Sequence, residues 1–136
     1  MSRSRSKTPP AEVKAFAVEA ARLLHDRKCE DVILYDVRGR SQVCDYVLLA
    51  SGTSDRQMRS IAHELDELGK TMSHPAFRTS VDDVGTWIVV DCVDVVIHLF
   101  EPEQRLYYDL ESLWTGSPRV TWRRTQPAPT RSGRGS

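Results

Sequence analysis

The chain has 136 residues, of which 40% are hydrophobic and 28% charged, with 19 Lys and Arg balancing 19 Asp and Glu; this suits one globular domain and is too short for two cores. The sequence has no run of about 20 apolar residues that could span a membrane and no apolar segment of a secretory signal. Its cysteines, Cys29, Cys44 and Cys92, lack the spacing of a disulfide framework or a metal site. Together these features predict a cytoplasmic protein without membrane contact, metal or cofactor.

The first predicted element is a helix that begins at Pro9 and Pro10, with Thr8 as its N-cap. Its apolar residues recur at helical spacing; they are Val13, Phe16, Ala17, Ala20 and Leu24. Two strands follow, over residues 31–37 and 44–51, because β-branched and aromatic residues cluster there on either side of a Gly-containing break.

A second helix has the clearest start signal in the chain. Ser54 followed by Gln57 forms a capping box, and Gly69 is a suitable stop. The apolar stripe between them consists of Met58, Ile61, Ala62, Leu65 and Leu68. Residues 70–85 show no clear period, which predicts a loop with one short strand.

Residues 87–91 and 94–100 are predicted to form a β-hairpin, and a last helix is predicted to begin at Pro102. Pairing Asp91 with Asp94 would place Trp87 opposite His98. The last helix would direct Leu106, Leu110 and Leu113 inward, with Tyr107 and Trp114 at its flanks. The fold class is therefore α/β: one domain with a mixed sheet and helices mainly on one face.

Alternation along the hairpin separates two faces of the sheet. The aliphatic face is assigned to the core and contains Ile88, Val90, Val95, Ile97 and Leu99. The opposite face contains Trp87, Val89, Asp91, Val96, His98 and Phe100. Aromatic residues dominate protein interfaces, so we interpret this second face as a partner-binding surface bordered by Tyr107. The alternative is that a further helix or the 70–85 loop covers it.

Three patterns in the sequence are candidate sites of chemistry. The turn over residues 51–54 leads from a strand into a helix and could hold an anion, but it lacks the lysine of a phosphate-binding loop. The strand-turn-helix order is similar to that of nucleotidyltransferases, yet Asp91 and Asp94 have no third acid to hold two metal ions. Cys92 and His98 fall on opposite faces, which argues against thiol catalysis. The residues therefore favour a binding domain without catalysis.

The charge of the chain is unevenly distributed. Residues 1–10 and 119–136 contain eight basic residues and no acid, whereas residues 11–118 contain 11 basic and 19 acidic residues, a net charge of about −8. We predict disordered tails over residues 1–10 and 117–136 that contact phosphate, with solubility as the alternative role. The acidic domain between them favours a basic partner.

Five ordered motifs together resemble the ribosomal silencing factor family, RsfS, also called Iojap. They are residues 31–39, 45–57, 87–91, 94–98 and 105–114, and the resemblance covers about 11–116. It implies a nucleotidyltransferase-like topology without catalytic acids. It also implies binding to the large ribosomal subunit through that subunit's fourteenth protein, which blocks subunit joining and represses translation. A homodimer of the free protein is implied as well. The competing interpretation is an enzyme acting on nucleotides.

The chain departs from the family pattern at two places. The family has Glu-Gly about six residues before the Trp, where this chain has Ser80 and Val81. The family's Tyr after the strand aspartate is Cys92 here. We therefore expect the loop before Trp87 to differ in shape from that of its relatives.

Overall fold

The computed structural model describes residues 8–125. Within this range the helices and strands follow the predicted order, and the short strand expected in 70–85 is present. The elements are α1 Pro10–Asp26, β1 Glu30–Asp36, β2 Tyr46–Ser51, α2 Asp55–Thr71, β3 Arg78–Val81, β4 Trp87–Asp91, β5 Val95–Phe100, α3 Pro102–Tyr108 and a 3₁₀ helix Leu110–Trp114.

The five strands form one mixed sheet in the order β1-β2-β5-β4-β3. Strands β2 and β5 are parallel and every other neighbouring pair is antiparallel. Helices α1 and α2 cover one face, where Phe16, Leu24 and Leu65 pack against Leu48 and Ile97 in the main core. This confirms the predicted α/β class, with the long helices on one side of the sheet. No helix within the described residues is long and apolar enough to cross a membrane.

The β4–β5 hairpin has a different register from the predicted one. Trp87 pairs with Phe100 and Asp91 pairs with Val96, so the predicted pairing of Trp87 with His98 is wrong by two residues. The reason is a longer connection, in which Cys92 N–H donates to the Val95 carbonyl at 2.9 Å. A two-residue shift leaves every side chain on its predicted face, and the aliphatic set on this hairpin is fully buried.

The connection of this hairpin depends on Asp91 and Val93. Val93 has φ +68°, which is rare for a β-branched residue, and its N–H donates to Asp91 Oδ1 at 2.8 Å. The Asp94 N–H turns back to the Cys92 carbonyl at 2.9 Å. The carboxylate of Asp91 therefore stabilises the turn that sets the register.

Helix α2 begins as predicted. Two other predictions need correction: the N-cap of α1 and the C-terminal end of α2. Ser54 Oγ accepts from the Gln57 N–H at 3.0 Å, which confirms the cap. The N-cap of α1 is Pro9, so the assignment to Thr8 is wrong. Gly69 does not stop α2, which continues to Thr71; a side chain at Gly69 would collide with the His74 carbonyl oxygen.

The last predicted helix is divided in two. Asp109 adopts φ +46° and ends α3, and the chain continues as the 3₁₀ helix. Leu106 is 82% exposed and Leu113 is 68% exposed, so their predicted inward orientation is wrong. The residue of α3 that is buried is Arg105, whose hydrogen bonds replace apolar packing as the anchor of this helix.

Residues 118–124, which we call the C-terminal strap, lie along the outer edge of β1. Asp36 N–H donates to the Pro118 carbonyl at 2.9 Å, and Val120 N–H donates to the Leu34 carbonyl at 2.8 Å. Trp122 is buried beside α1, which covers an edge that would otherwise be open to pairing. The predicted disordered tail is therefore wrong for residues 117–125; residues 1–7 and 126–136 lie outside the described range.

Candidate functional site

The sheet face opposite α1 and α2 contains a contiguous group of rings, which we call the aromatic face: Trp87, His98, Phe100, Tyr107 and Tyr108. The indole ring of Trp87 stacks on Phe100 with a centroid distance of 5.0 Å and contacts Tyr108 at 4.6 Å. Tyr107 meets Tyr108 edge-on at 5.1 Å. Strands β4 and β5 contain the first three rings, and α3 contains the other two. The group therefore depends on the packing of α3 beside the hairpin.

The predicted binding residues differ in how far they reach solvent. Trp87, Val89, Asp91, Val96 and His98 are half-buried, and Tyr107 is 78% exposed. Phe100 is completely buried, so its assignment as a direct partner contact is wrong. It lies beneath Trp87 and joins a second core, because the next segment of chain folds over it.

The 3₁₀ helix accounts for that second core. Leu110 and Trp114 pack against buried residues of β1, β2 and β5, including Tyr35, Leu49 and Phe100. On the β4–β5 face this helix covers Phe100, so the alternative interpretation, in which a helix covers that face, holds at Phe100. The other side chains of that face are half-buried: Trp87, Val89, Asp91, Val96 and His98.

A hydrogen bond joins the two polar rings of the aromatic face. Trp87 Nε1–H donates to His98 Nδ1 at 3.2 Å. Burial lowers the pKa of His98 to about 4, against the opposing effect of the Asp91 charge. The imidazole is therefore neutral at physiological pH, and the indole N–H of Trp87 is engaged within the protein.

The loop before Trp87 is organised by Asp82, a residue that the sequence analysis did not single out. Its Oδ1 accepts from the N–H groups of Thr86 and Trp87 at 2.7 and 2.9 Å, and its Oδ2 accepts from the Thr86 hydroxyl at 2.6 Å. Burial alone would raise the pKa of Asp82, but these hydrogen bonds lower it below its usual value. An Asp at the start of a Gly-containing turn was the available signal.

The departure from the family pattern lies in a strand rather than in this loop. Ser80 pairs with Val89 and Val81 pairs with Ile88, within β3. All of β3 is exposed, so these positions form the outer edge of the sheet. The effect of the departure on binding stays a prediction.

Arg105 is the second residue that sequence reasoning missed. It is 7% exposed, and its Nε donates to Glu111 Oε1 at 3.0 Å while its Nη1 donates to Ser51 Oγ at 3.0 Å. These bonds hold α3 and the 3₁₀ helix against the end of β2, and so they place Tyr107 and Tyr108 beside Trp87. The sequence shows an Arg with a Glu six residues later, but it does not show that the Arg side chain is buried.

Two cysteine thiols, those of Cys29 and Cys92, are buried in the main core. Burial raises the pKa of the Cys92 thiol to about 12 and that of Cys29 to about 11, so both stay protonated and weakly nucleophilic. Within residues 8–125, no three His, Cys, Asp or Glu side chains are grouped so that they could hold a metal ion. The aromatic face has the composition of surfaces that bind other macromolecules.

Known proteins are similar to this chain along most of its length. A family profile described as ribosomal silencing factor during starvation, RsfS, matches residues 10–135. The chain belongs to the RsfS family. RsfS from Bacillus subtilis is 36% identical over 105 residues, which are 77% of this chain and 89% of the relative. RsfS from Halalkalibacterium halodurans is 34% identical over 109 residues, or 80% and 91% of the two chains.

Relatives extend beyond bacteria, and solved structures share the fold. A mouse protein named mitochondrial assembly of ribosomal large subunit protein 1 is 34% identical over 68% of this chain and 42% of its own length. A crystal structure from Chromobacterium violaceum superposes on this RsfS-family chain with a TM-score of 0.69 at 28% identity, over 87% and 95% of the two chains. A structure from Bacillus halodurans gives 0.65 at 33% identity, over 82% and 98%.

Proposed function

We propose that this protein is a ribosomal silencing factor of the cytoplasm. It binds the large ribosomal subunit through that subunit's fourteenth protein, blocks joining of the small subunit and represses translation. The observation that carries this proposal is the match to the RsfS family over residues 10–135. Relatives named ribosomal silencing factor that align over about nine-tenths of their length support it.

The aromatic face is the proposed contact with the ribosomal protein. Its rings are contiguous, with Trp87 and His98 half-buried at the centre, as expected for the centre of an interface. Tyr107, 78% exposed, and Leu106, 82% exposed, extend this surface along α3. Large apolar side chains exposed to water in one patch are typical of a protein-binding site. The acidic domain, about −8 over residues 11–118, would attract a basic ribosomal protein.

The proposed mechanism is steric and has no chemical step. A domain of this size docked on the joining face of the large subunit would occupy the space that the small subunit needs. The competing function, nucleotide transfer, requires grouped carboxylates for two metal ions. Of the two acids nearest the turn, Asp91 accepts the Val93 N–H and Asp94 is 2% exposed, which does not favour that chemistry.

Sedimentation and subunit joining test the proposal together. The full-length protein should co-sediment with purified large subunits and not with small subunits. It should also lower the light-scattering signal of subunit association in proportion to its occupancy. Absence of co-sedimentation at micromolar concentration would contradict the proposal, and metal-dependent nucleotide turnover that is lost in Asp91→Asn or Asp94→Asn would favour the enzyme.

Basic residues near the C-terminus form a proposed second contact, with ribosomal RNA phosphate. Arg119 lies over the Tyr35 ring at 5.8 Å and Arg123 over the Trp122 ring at 4.7 Å, and both side chains are exposed. Arg124 is paired with Asp26 through two hydrogen bonds of 2.8 Å. The C-terminal strap thus presents two fixed guanidinium groups beside the acidic domain, where phosphate would neutralise them. A homodimer of the free protein is also proposed, on the family resemblance alone.

A further inference from the structure

The hydrogen bond between Trp87 and His98 fixes which nitrogen of His98 holds the proton. An indole Nε1 can only donate, and the acceptor at 3.2 Å is His98 Nδ1. In a neutral imidazole the other nitrogen then has the proton. His98 is therefore locked as the Nε2–H tautomer.

The Nε2–H group is available at the aromatic face. It forms no hydrogen bond to any residue in 8–125. The His98 side chain is half-buried and lies between Val89 across the strand pair and the ring of Phe100 at 6.0 Å. A donor framed by apolar surface loses its water when a partner covers it and then needs an acceptor.

We propose that His98 is a specificity-determining residue whose Nε2–H donates to an uncharged carbonyl oxygen of the large-subunit protein. This rests on the proposed function, in which the aromatic face is the docking surface. A carbonyl is favoured over a carboxylate because the donor is neutral and Asp91, on the same face, is close enough to influence His98. A second carboxylate there would be repelled. Trp87 contributes its ring to the partner and acts on His98 as a positioning residue.

The tautomer can be measured without any partner. In protein labelled with ¹⁵N at histidine, the His98 signals, assigned by their absence in His98→Phe, should show Nε2 protonated and Nδ1 unprotonated at pH 7. Trp87→Phe removes the indole donor and should shift the signals towards a mixture of tautomers. A predominant Nδ1–H form in the wild-type protein would overturn the inference.

Binding to purified large subunits tests the acceptor. His98→Phe keeps the ring and should weaken affinity about three- to tenfold, the effect of one net hydrogen bond. His98→Gln retains an amide donor and should bind more tightly than His98→Phe. His63→Phe, an exposed histidine of α2, is the matched control and should bind like wild type.

The outcomes separate this inference from the proposed function. If Trp87→Ala loses affinity while folded His98→Phe binds like wild type, the docking face stands and the His98 donor is wrong. If both bind like wild type, the docking face is wrong and the inference fails with it. Tighter binding of Asp91→Asn would indicate a carboxylate acceptor and would also contradict it.

Discussion

At the scale of single residues, Trp87 connects the packing of the domain to its proposed function. One side of its ring covers the buried Phe100, and its indole N–H is used by His98. The remainder of the side chain is half-exposed beside Tyr108. A ring held in this way loses little conformational freedom on binding, which is the property of an interface anchor.

Replacing Trp87 by Ala should lower affinity for large subunits about thirtyfold, the effect of truncating a central aromatic anchor. Because the ring is only half-buried, the melting temperature should fall much less than for a core tryptophan. Sedimentation and thermal melting would be measured on the same preparation, with Val84→Ala, 71% exposed on the β3–β4 loop, as the control. Unchanged binding by the folded variant would remove Trp87 from the interface.

His98 also predicts how stability depends on pH. Its pKa is about 4 in the folded protein against 6.5 ordinarily, so between these values the unfolded chain binds the proton and the folded chain does not. The free energy of unfolding should therefore fall as pH drops from 6.5 to 4, by up to about 3 kcal/mol from this group.

Urea unfolding at pH 7.5 and at pH 4.5 checks this prediction. His98→Phe should reduce the difference between the two pH values. A part of the difference should remain, because burial also lowers the pKa of His74. An equal difference in wild type and His98→Phe would show that His98 is not buried in its neutral form.

At the scale of elements, two short segments determine what the sheet exposes. The 3₁₀ helix covers the part of the face above β1 and β2, and Arg105 holds it there together with α3. The C-terminal strap covers the edge of β1. Both segments follow the last strand in the chain, so the domain is completed only when its C-terminal part has folded back.

Trp122→Ala tests the strap. This side chain is 6% exposed, and truncating a buried tryptophan costs about 3–5 kcal/mol, so chemical denaturation should show a loss of that order. The neighbouring Thr121→Ala, at an exposed position, should change stability by less than about 0.5 kcal/mol. Equal stability of both variants would mean that the strap does not belong to the folded unit.

At the scale of the whole molecule, an acidic domain is combined with basic terminal segments. Deletion of 119–136 would remove both the strap and the remaining arginines, so it cannot separate folding from phosphate contact. Deletion of 126–136 keeps the strap and removes Arg131 and Arg134. The two effects can therefore be measured independently.

Deleting 126–136 should reduce the slope of log affinity against log salt by up to about two, since each phosphate contact contributes about 0.9. Large-subunit specificity should be retained, because the aromatic face is intact. A full-length variant with Arg131→Gln and Arg134→Gln controls for chain length and should show the same reduction. A salt slope equal to that of the wild type would assign these residues to solubility.

Much of the fold and four of the five rings of the aromatic face could be predicted from the sequence, because they depend on local patterns. Period-2 alternation assigned the faces of β4 and β5 correctly even though the register was wrong, since a two-residue shift preserves the face. The Ser54 cap of α2 depends on residues three apart and was also correct. The order of motifs was sufficient to indicate the RsfS family.

Other features were decided only by tertiary structure, because they join residues distant in the chain. Phe100 is buried by the 3₁₀ helix, and Leu106 points outward because Arg105 reaches Ser51, 54 positions earlier. The strap is ordered because its backbone pairs with β1, and a basic, Pro-containing sequence gives no local sign of this pairing. Periodicity reports which residues share a face, whereas hydrogen bonds and packing between distant segments decide which face is covered.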